Sequence, residues 1–111
     1  MFLQRFLSIQ QNIRLYHWTT DIYTQHVVSG ELYEKLDGLF DKFIETYQGT
    51  TKLKFEKITI SSKQLTTKEL INDIKKCIEY LLSLELDDDL KNIRDEIVGE
   101  MHKYMFLLRL K

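Results

Sequence analysis

A chain of 111 residues with no proline and only four glycines has almost nothing in it to interrupt a helix. Proline removes a backbone donor and collides with the preceding turn, and glycine gives up backbone entropy, so their scarcity favours long helices joined at few places. The length is that of one domain, spanning 1–111, and is enough for a free-standing core. Apolar residues recurring at spacings of three and four support four helices.

The first predicted helix covers residues 2–25, with Leu3, Phe6, Leu7, Gln10, Ile13 and His17 along one side. "HVVSGE" then reads as a short connection, in which Ser29 caps the second helix and Glu31 places a carboxylate in its first turn. That helix runs over residues 30–48, turns Leu32, Leu36, Leu39, Phe43 and Tyr47 inward, and stops at Gly49. From Thr50 to Leu65 the periodicity fails, and "LKFEKITI" has the branched and aromatic content of a short extended piece. Such a segment spans roughly 50 Å when extended, against roughly 30 Å for a 20-residue helix, so it can cross a whole bundle.

Thr66 and Glu69 have the spacing of a capping box. The third helix follows, with Leu70, Ile74, Cys77, Ile78, Leu81 and, at the edge of the stripe, Leu82 inward, and "LDDDL" supplies a turn and negative charge at the start of the fourth. Leu90, Ile93, Ile97, Met101, Tyr104 and Leu108 form the last stripe. The expected fold class is all-α: a ferritin-like four-helix bundle with a long crossover between helices two and three.

Charge narrows the partners. Sixteen Lys and Arg face seventeen Asp and Glu, so no broad positive field draws the chain to a phosphate backbone, and there is no strong nucleic-acid signal. The N-terminal "MFLQRFLSIQQNIRL" is apolar only at intervals, unlike a signal peptide or a membrane span, and the expected location is inside a cell, in the cytoplasm, or inside an assembly. The single Cys77, within "IKKCIEYLL", reads as a small buried apolar residue.

His17 lies near the middle of the first apolar arc. One ring nitrogen can bind a metal while the other donates to an oxygen, and a hydrogen-bonded neutral core histidine is the simpler reading. Trp18 reads as a packing anchor at the edge of that arc, and His26 as a residue near the helix end. Asp37, Asp41 and Glu45 follow one another at intervals of four, where carboxylates can share a cation. Asp41 and Glu45 oppose the apolar arc, so they face solvent or complete a site with a second subunit. Glu100, with Glu96 beside it, lies near the last apolar stripe and needs a metal, a basic group or a hydroxyl as partner. His102 points away. No Glu-x-x-His occurs, which argues against a two-iron centre inside one monomer. Phosphate-cradling loops, catalytic serine or cysteine signatures and zinc-type clusters are also missing.

At "LYHW" (15–18), His26, "LYEKL" (32–36) and "DKFIE" (41–45), the sequence resembles the Dps-like branch of the ferritin superfamily, and its short second half resembles small ferritin-like proteins of large DNA viruses and phages. The resemblance implies four-helix subunits that oxidise ferrous iron at sites shared between two chains and assemble into hollow shells. It implies that His17, His26, Asp41 and Glu45 are metal ligands, with the histidines from one subunit and the carboxylates from the other. The interval between the histidines is shorter than in that family, and a basic tail is missing. Two functions follow as expectations. One is a structural or interaction protein forming homo-oligomers, as a component of a capsid or other viral assembly. The other is an iron-binding ferroxidase, and the residues alone leave open whether the chain is an enzyme.

Overall fold

A computed structural model describes residues 2–52 and 57–110. Four helices run in the order α1 (Phe2–Thr19), α2 (Tyr23–Thr50), α3 (Thr67–Ser83) and α4 (Asp88–Arg109). They pack along the four sides of a square, α1 on α2, α2 on α4, α4 on α3 and α3 on α1. Cross-helix bonds fix their directions. Gln10 of α1 donates to the Tyr33 carbonyl of α2, Asn12 to Asp73 of α3, Gln25 of α2 to the Leu108 carbonyl of α4, and Arg94 of α4 to the Leu81 carbonyl of α3. Every neighbouring pair is therefore antiparallel, and α2 and α3 run the same way across a diagonal.

That diagonal forces the long connection. The end of α2 lies beside the start of α1, where the Tyr47 and Phe2 rings meet edge to face at 5.0 Å. The start of α3 lies at the opposite end, where Tyr16 Oη and Thr67 Oγ1 are 2.6 Å apart. The end of α2 and the start of α3 thus lie at opposite ends of the bundle, as expected for the all-α four-helix fold with a crossover between helices two and three. Two tethers hold the described part of the crossing: the Lys63 amide donates to Asn12 Oδ1 at 3.0 Å, and Leu65 is buried in the core. Half of the extended piece read in "LKFEKITI" lies outside the described residues; Lys57 to Ile60 carry no strand.

The core stripes of α3 and α4 are those expected but for one residue: Leu70, Ile74, Cys77, Ile78 and Leu81 are buried, as are Leu90, Ile93, Ile97, Met101, Tyr104 and Leu108, whereas Leu82, expected inward, is half exposed because it lies one position past Leu81 and so about 100° around the helix from it. The Thr66–Glu69 capping box is formed in both directions. In the first hairpin Phe6 stacks on Phe40 at 4.1 Å, with Phe43 edge-on to Phe6. Leu39 and Tyr47, expected inward, are only partly buried, and Phe40 takes the core position.

The first helix ends earlier than the apolar pattern predicts. It stops at Thr19, and the chain turns over residues 20–22. The Thr19 hydroxyl donates to the Leu15 carbonyl at 2.7 Å, and Thr20 Oγ1 accepts from the Ile22 amide. Hydroxyls that bond to nearby backbone offer the chain an alternative to the helix, and branched β-carbons weaken the helix further. "HVVSGE" consequently lies inside α2. Ser29 is no cap but a buried mid-helix residue whose hydroxyl donates to the Gln25 carbonyl at 2.7 Å. The helix also runs through Gly49 to Thr50, where the Thr51 hydroxyl donates to the Tyr47 carbonyl.

Candidate functional site

The early turn brings His17 and His26 face to face. His26 sits in the opening turn of α2 rather than near the end of α1, and the two imidazoles stack with centroids 3.9 Å apart and planes 15° from parallel. His17 Nδ1 lies 2.6 Å from the His26 carbonyl oxygen, and His26 Nδ1 lies 2.7 Å from the His17 carbonyl oxygen. A carbonyl only accepts, so both Nδ1 atoms carry protons, and in the neutral rings both Nε2 lone pairs are left for another partner.

Helix α2 makes room for this pair with a missing side chain. A Cβ at Gly30 would stand 2.9 Å from His17 Cε1 and 3.2 Å from its Nδ1, closer than a methyl group can pack. Around the ring, Arg14, Trp18, Tyr33 and Glu34 enclose a recess of about 300 Å³. The Arg14 guanidinium lies over the Tyr33 ring at 4.4 Å and reaches Trp18 at 5.4 Å, which holds a cation beside the histidines. Trp18 itself is 63% exposed, so it is not the packing anchor expected. With the helix ending at Thr19, its ring is left on the outer face of the hairpin.

The expected ligands do not converge within one chain. Asp41 and Glu45 are exposed on the outer face of α2, in line with Asp37. The interval from His26 to Asp41 is about 22 Å along a helix rising 1.5 Å per residue. Among the described residues no group of three or more His, Cys, Asp or Glu side chains could hold a metal ion. An ion bound by imidazole lies in the ring plane about 2.0–2.1 Å from nitrogen. Two stacked planes share no such point, so in this arrangement one ion can take one of the two histidines and not both.

Glu100 has the basic partner its position calls for, with Lys35 Nζ at 3.6 Å. Tyr104 and the Glu100 carboxylate together push the Lys35 ammonium above its usual pKa. Glu96 and His102 are exposed. Sequence reasoning missed three residues that shape this end of the molecule: Gly30, Arg14 and Gln25, the last a glutamine buried at 4% exposure. The one signal for Gly30 was a glycine inside a helical pattern, which marks a close approach when it is not a cap.

Fold and site together define an all-helical bundle with a stacked histidine pair at the turn of its first hairpin. A family model described as a family of unknown function, DUF5856, matches residues 17–108, and the chain belongs to that family. No curated protein and no solved structure matches it.

Proposed function

We propose that the protein is a ferritin-like scaffold that pairs with a second copy of itself through the outer face of the α1–α2 hairpin and serves as a structural or interaction component of a homo-oligomer. The observation that carries this is the composition of that face. Trp18, Tyr23 and Val27 are 63%, 77% and 38% exposed, and they flank the histidine pair at one end of the hairpin, while Asp41 and Glu45 are exposed toward the other. Large exposed apolar side chains gathered beside polar ones mark a contact surface.

A two-fold axis at the level of Glu34, midway between His26 and Asp41, sets each chain's carboxylates opposite the other chain's histidines. At such an axis the same residue from both chains meets itself. Glu34→Cys is therefore expected to oxidise to a disulfide-linked dimer, with the buried Cys77 taking no part. Glu79→Cys, on the exposed side of α3, stays uncrosslinked. A Glu34→Cys chain that does not crosslink, or a Glu79→Cys chain that crosslinks equally well, contradicts the pairing.

The free Nε2 lone pairs favour a second reading on the same face. Histidines that ligate a metal usually donate their other ring N–H to a carbonyl or carboxylate, as both do here. In this reading the pair places His17 and His26 opposite Asp41 and Glu45 of the partner subunit, each ring serves a separate ion, and iron is the metal, as in Dps-like ferroxidases. The face would serve equally in a cytoplasmic oligomer or a virion. Its test is anaerobic ferrous loading of the size-separated oligomer: comigrating iron, reduced by His17→Ala and by Asp41→Ala, supports it, and iron that does not comigrate refutes it.

A further inference from the structure

Pairing through the hairpin face meets an electrostatic obstacle at its own axis. A two-fold axis at Glu34 brings the same exposed carboxylate from both chains together, and like charges at close range repel. A cation at that level removes the obstacle. Helix α1 carries two arginines, Arg5 and Arg14. Arg5 turns toward α3, where its guanidinium lies over the Tyr80 ring at 4.8 Å. Arg14 stands at the level of the axis: its guanidinium is 4.4 Å from the ring of Tyr33, the residue before Glu34. Arg14 and Glu34 both line the recess between α1 and α2 that also holds His17 and Trp18.

Although they share a recess, Arg14 and Glu34 do not pair within the chain. The ion pairs among the described residues join Lys35 to Glu100, Lys91 to Asp88 and Arg94 to Asp95, and neither residue enters one. Arg14 instead lies against two aromatic rings, Tyr33 and the exposed Trp18. A guanidinium seated on aromatic faces keeps its N–H edges for a carboxylate and has less freedom to lose on binding one. The neighbouring cation of α2 is already engaged, because Lys35 reaches Glu100 of α4. Along the face, α1 therefore offers a positioned cation and α2 offers carboxylates, and a second copy turned through a half rotation sets one against the other.

We infer that Arg14 of each chain forms an ion pair with Glu34 of the second copy, so that two such pairs flank the axis and select a second copy of this chain as the partner. The inference rests on the pairing through the hairpin face. The contact turns the carboxylates that would repel into the acceptors of the two guanidinium groups, and a planar fork of N–H donors meets a carboxylate through two parallel bonds. It also gives the face its specificity, since a partner with an apolar patch but no carboxylate at this level leaves Arg14 without a counter-charge.

Charge reversal separates a contact between chains from one within a chain, read by sedimentation velocity on the full chain with helix content followed by circular dichroism. Arg14→Glu sets carboxylate against carboxylate in both pairs, and Glu34→Arg sets cation against cation. Each is expected to weaken the dimer about tenfold or more, as two partly exposed ion pairs are lost at once. Arg14→Gln, a milder change that keeps part of the stem, weakens it in the same direction. Reversal is preferred to removal at Glu34, whose loss also relieves the repulsion at the axis. Mixed in equal amounts, Arg14→Glu and Glu34→Arg chains should associate as the wild type does, because each supplies the charge that the other lacks. The double variant should also recover. A wild-type chain that is monomeric overturns the pairing and this contact with it. A wild-type dimer that neither reversal weakens leaves the pairing standing and overturns the contact. Recovery in the double variant but not in the mixture places the contact within one chain and overturns it as well.

Discussion

His17 and His26 each donate an Nδ1 proton to the backbone carbonyl of the other, at 2.6 and 2.7 Å, with their rings stacked at 3.9 Å. Nine residues apart, they staple the last turn of α1 to the first turn of α2 across the connection that joins them. The staple exists because Gly30 presents no side chain to the ring. Gly30→Ala places a methyl 2.9 Å from His17 Cε1, and overpacking of this kind costs about 1–3 kcal/mol. That exceeds the gain of up to about 1 kcal/mol that alanine brings to a helix interior. Gly38 has nothing within 4 Å of the same position, so Gly38→Ala should stabilise by about 0.5–1 kcal/mol. Thermal melts followed by circular dichroism are expected to move in opposite directions for the two variants. A Gly30→Ala protein as stable as Gly38→Ala would mean that the ring is not held where the two bonds place it.

The start of α3 carries a pH dependence of defined sign. The Thr66 amide donates to Glu69 Oε1 at 3.0 Å, and this bond, with the threonine side chain, holds the Glu69 carboxyl below its ordinary pKa of 4.5. A carboxyl lowered on folding contributes stability that is fully present above the ordinary value and is lost as pH falls through the lowered one. Glu69→Gln should therefore flatten part of the acid limb of the urea midpoint against pH and change little near neutrality. An unaltered acid limb would show that the capping box does not form. Thr66→Ala, which removes the acceptor of the Glu69 amide, should cost about 1 kcal/mol at all pH values.

Cys77 is 2% exposed, and burial pushes its thiol up to about 12. The thiolate is the reactive species, so almost none is present at mildly alkaline pH. Labelling by a disulfide reagent should be slow in the native chain and complete within the mixing time in denaturant. Fast labelling of native protein would place Cys77 outside the core.

Asn12 ties the crossing to two helices, donating to Asp73 at 3.0 Å and accepting from the Lys63 amide at 3.0 Å. Asn12→Ala removes both bonds at a buried position, with an expected loss of about 1–3 kcal/mol. Hydrogen exchange gives the finer readout, because Lys63 loses its acceptor. Its amide should exchange faster in the variant, while amides in the middle of α4 do so only as far as global stability falls.

The second half of the molecule was legible in the sequence because each signal there was redundant. Thr66 and Glu69 announce a helix start, the stripe that follows repeats at one period, and "LDDDL" breaks it. Periodicity misled in the first hairpin. The apolar pattern carries on through Thr20 to Ile22, but the helix stops at Thr19 and Thr20 Oγ1 accepts from the Ile22 amide in the turn that follows. That local choice moves His26 from one helix to the next, exposes Trp18 and creates the stacked pair. Asp41 and Glu45 stood on the outer face as their phase required, because a phase error cannot build up within one uninterrupted helix. Gln25 gave no sign of burial, since its two acceptors come from the far end of α4.

The central claim is pairing through the outer face of the hairpin, and sedimentation velocity over a range of concentrations tests it most directly. The wild-type chain is expected to sediment as a dimer or a larger closed assembly. Val27→Asp, a charge placed in that apolar patch on an already exposed position, should sediment as a folded monomer with unchanged helix content. A wild-type chain that stays monomeric at every concentration, or a Val27→Asp chain that associates as well as the wild type, would contradict it.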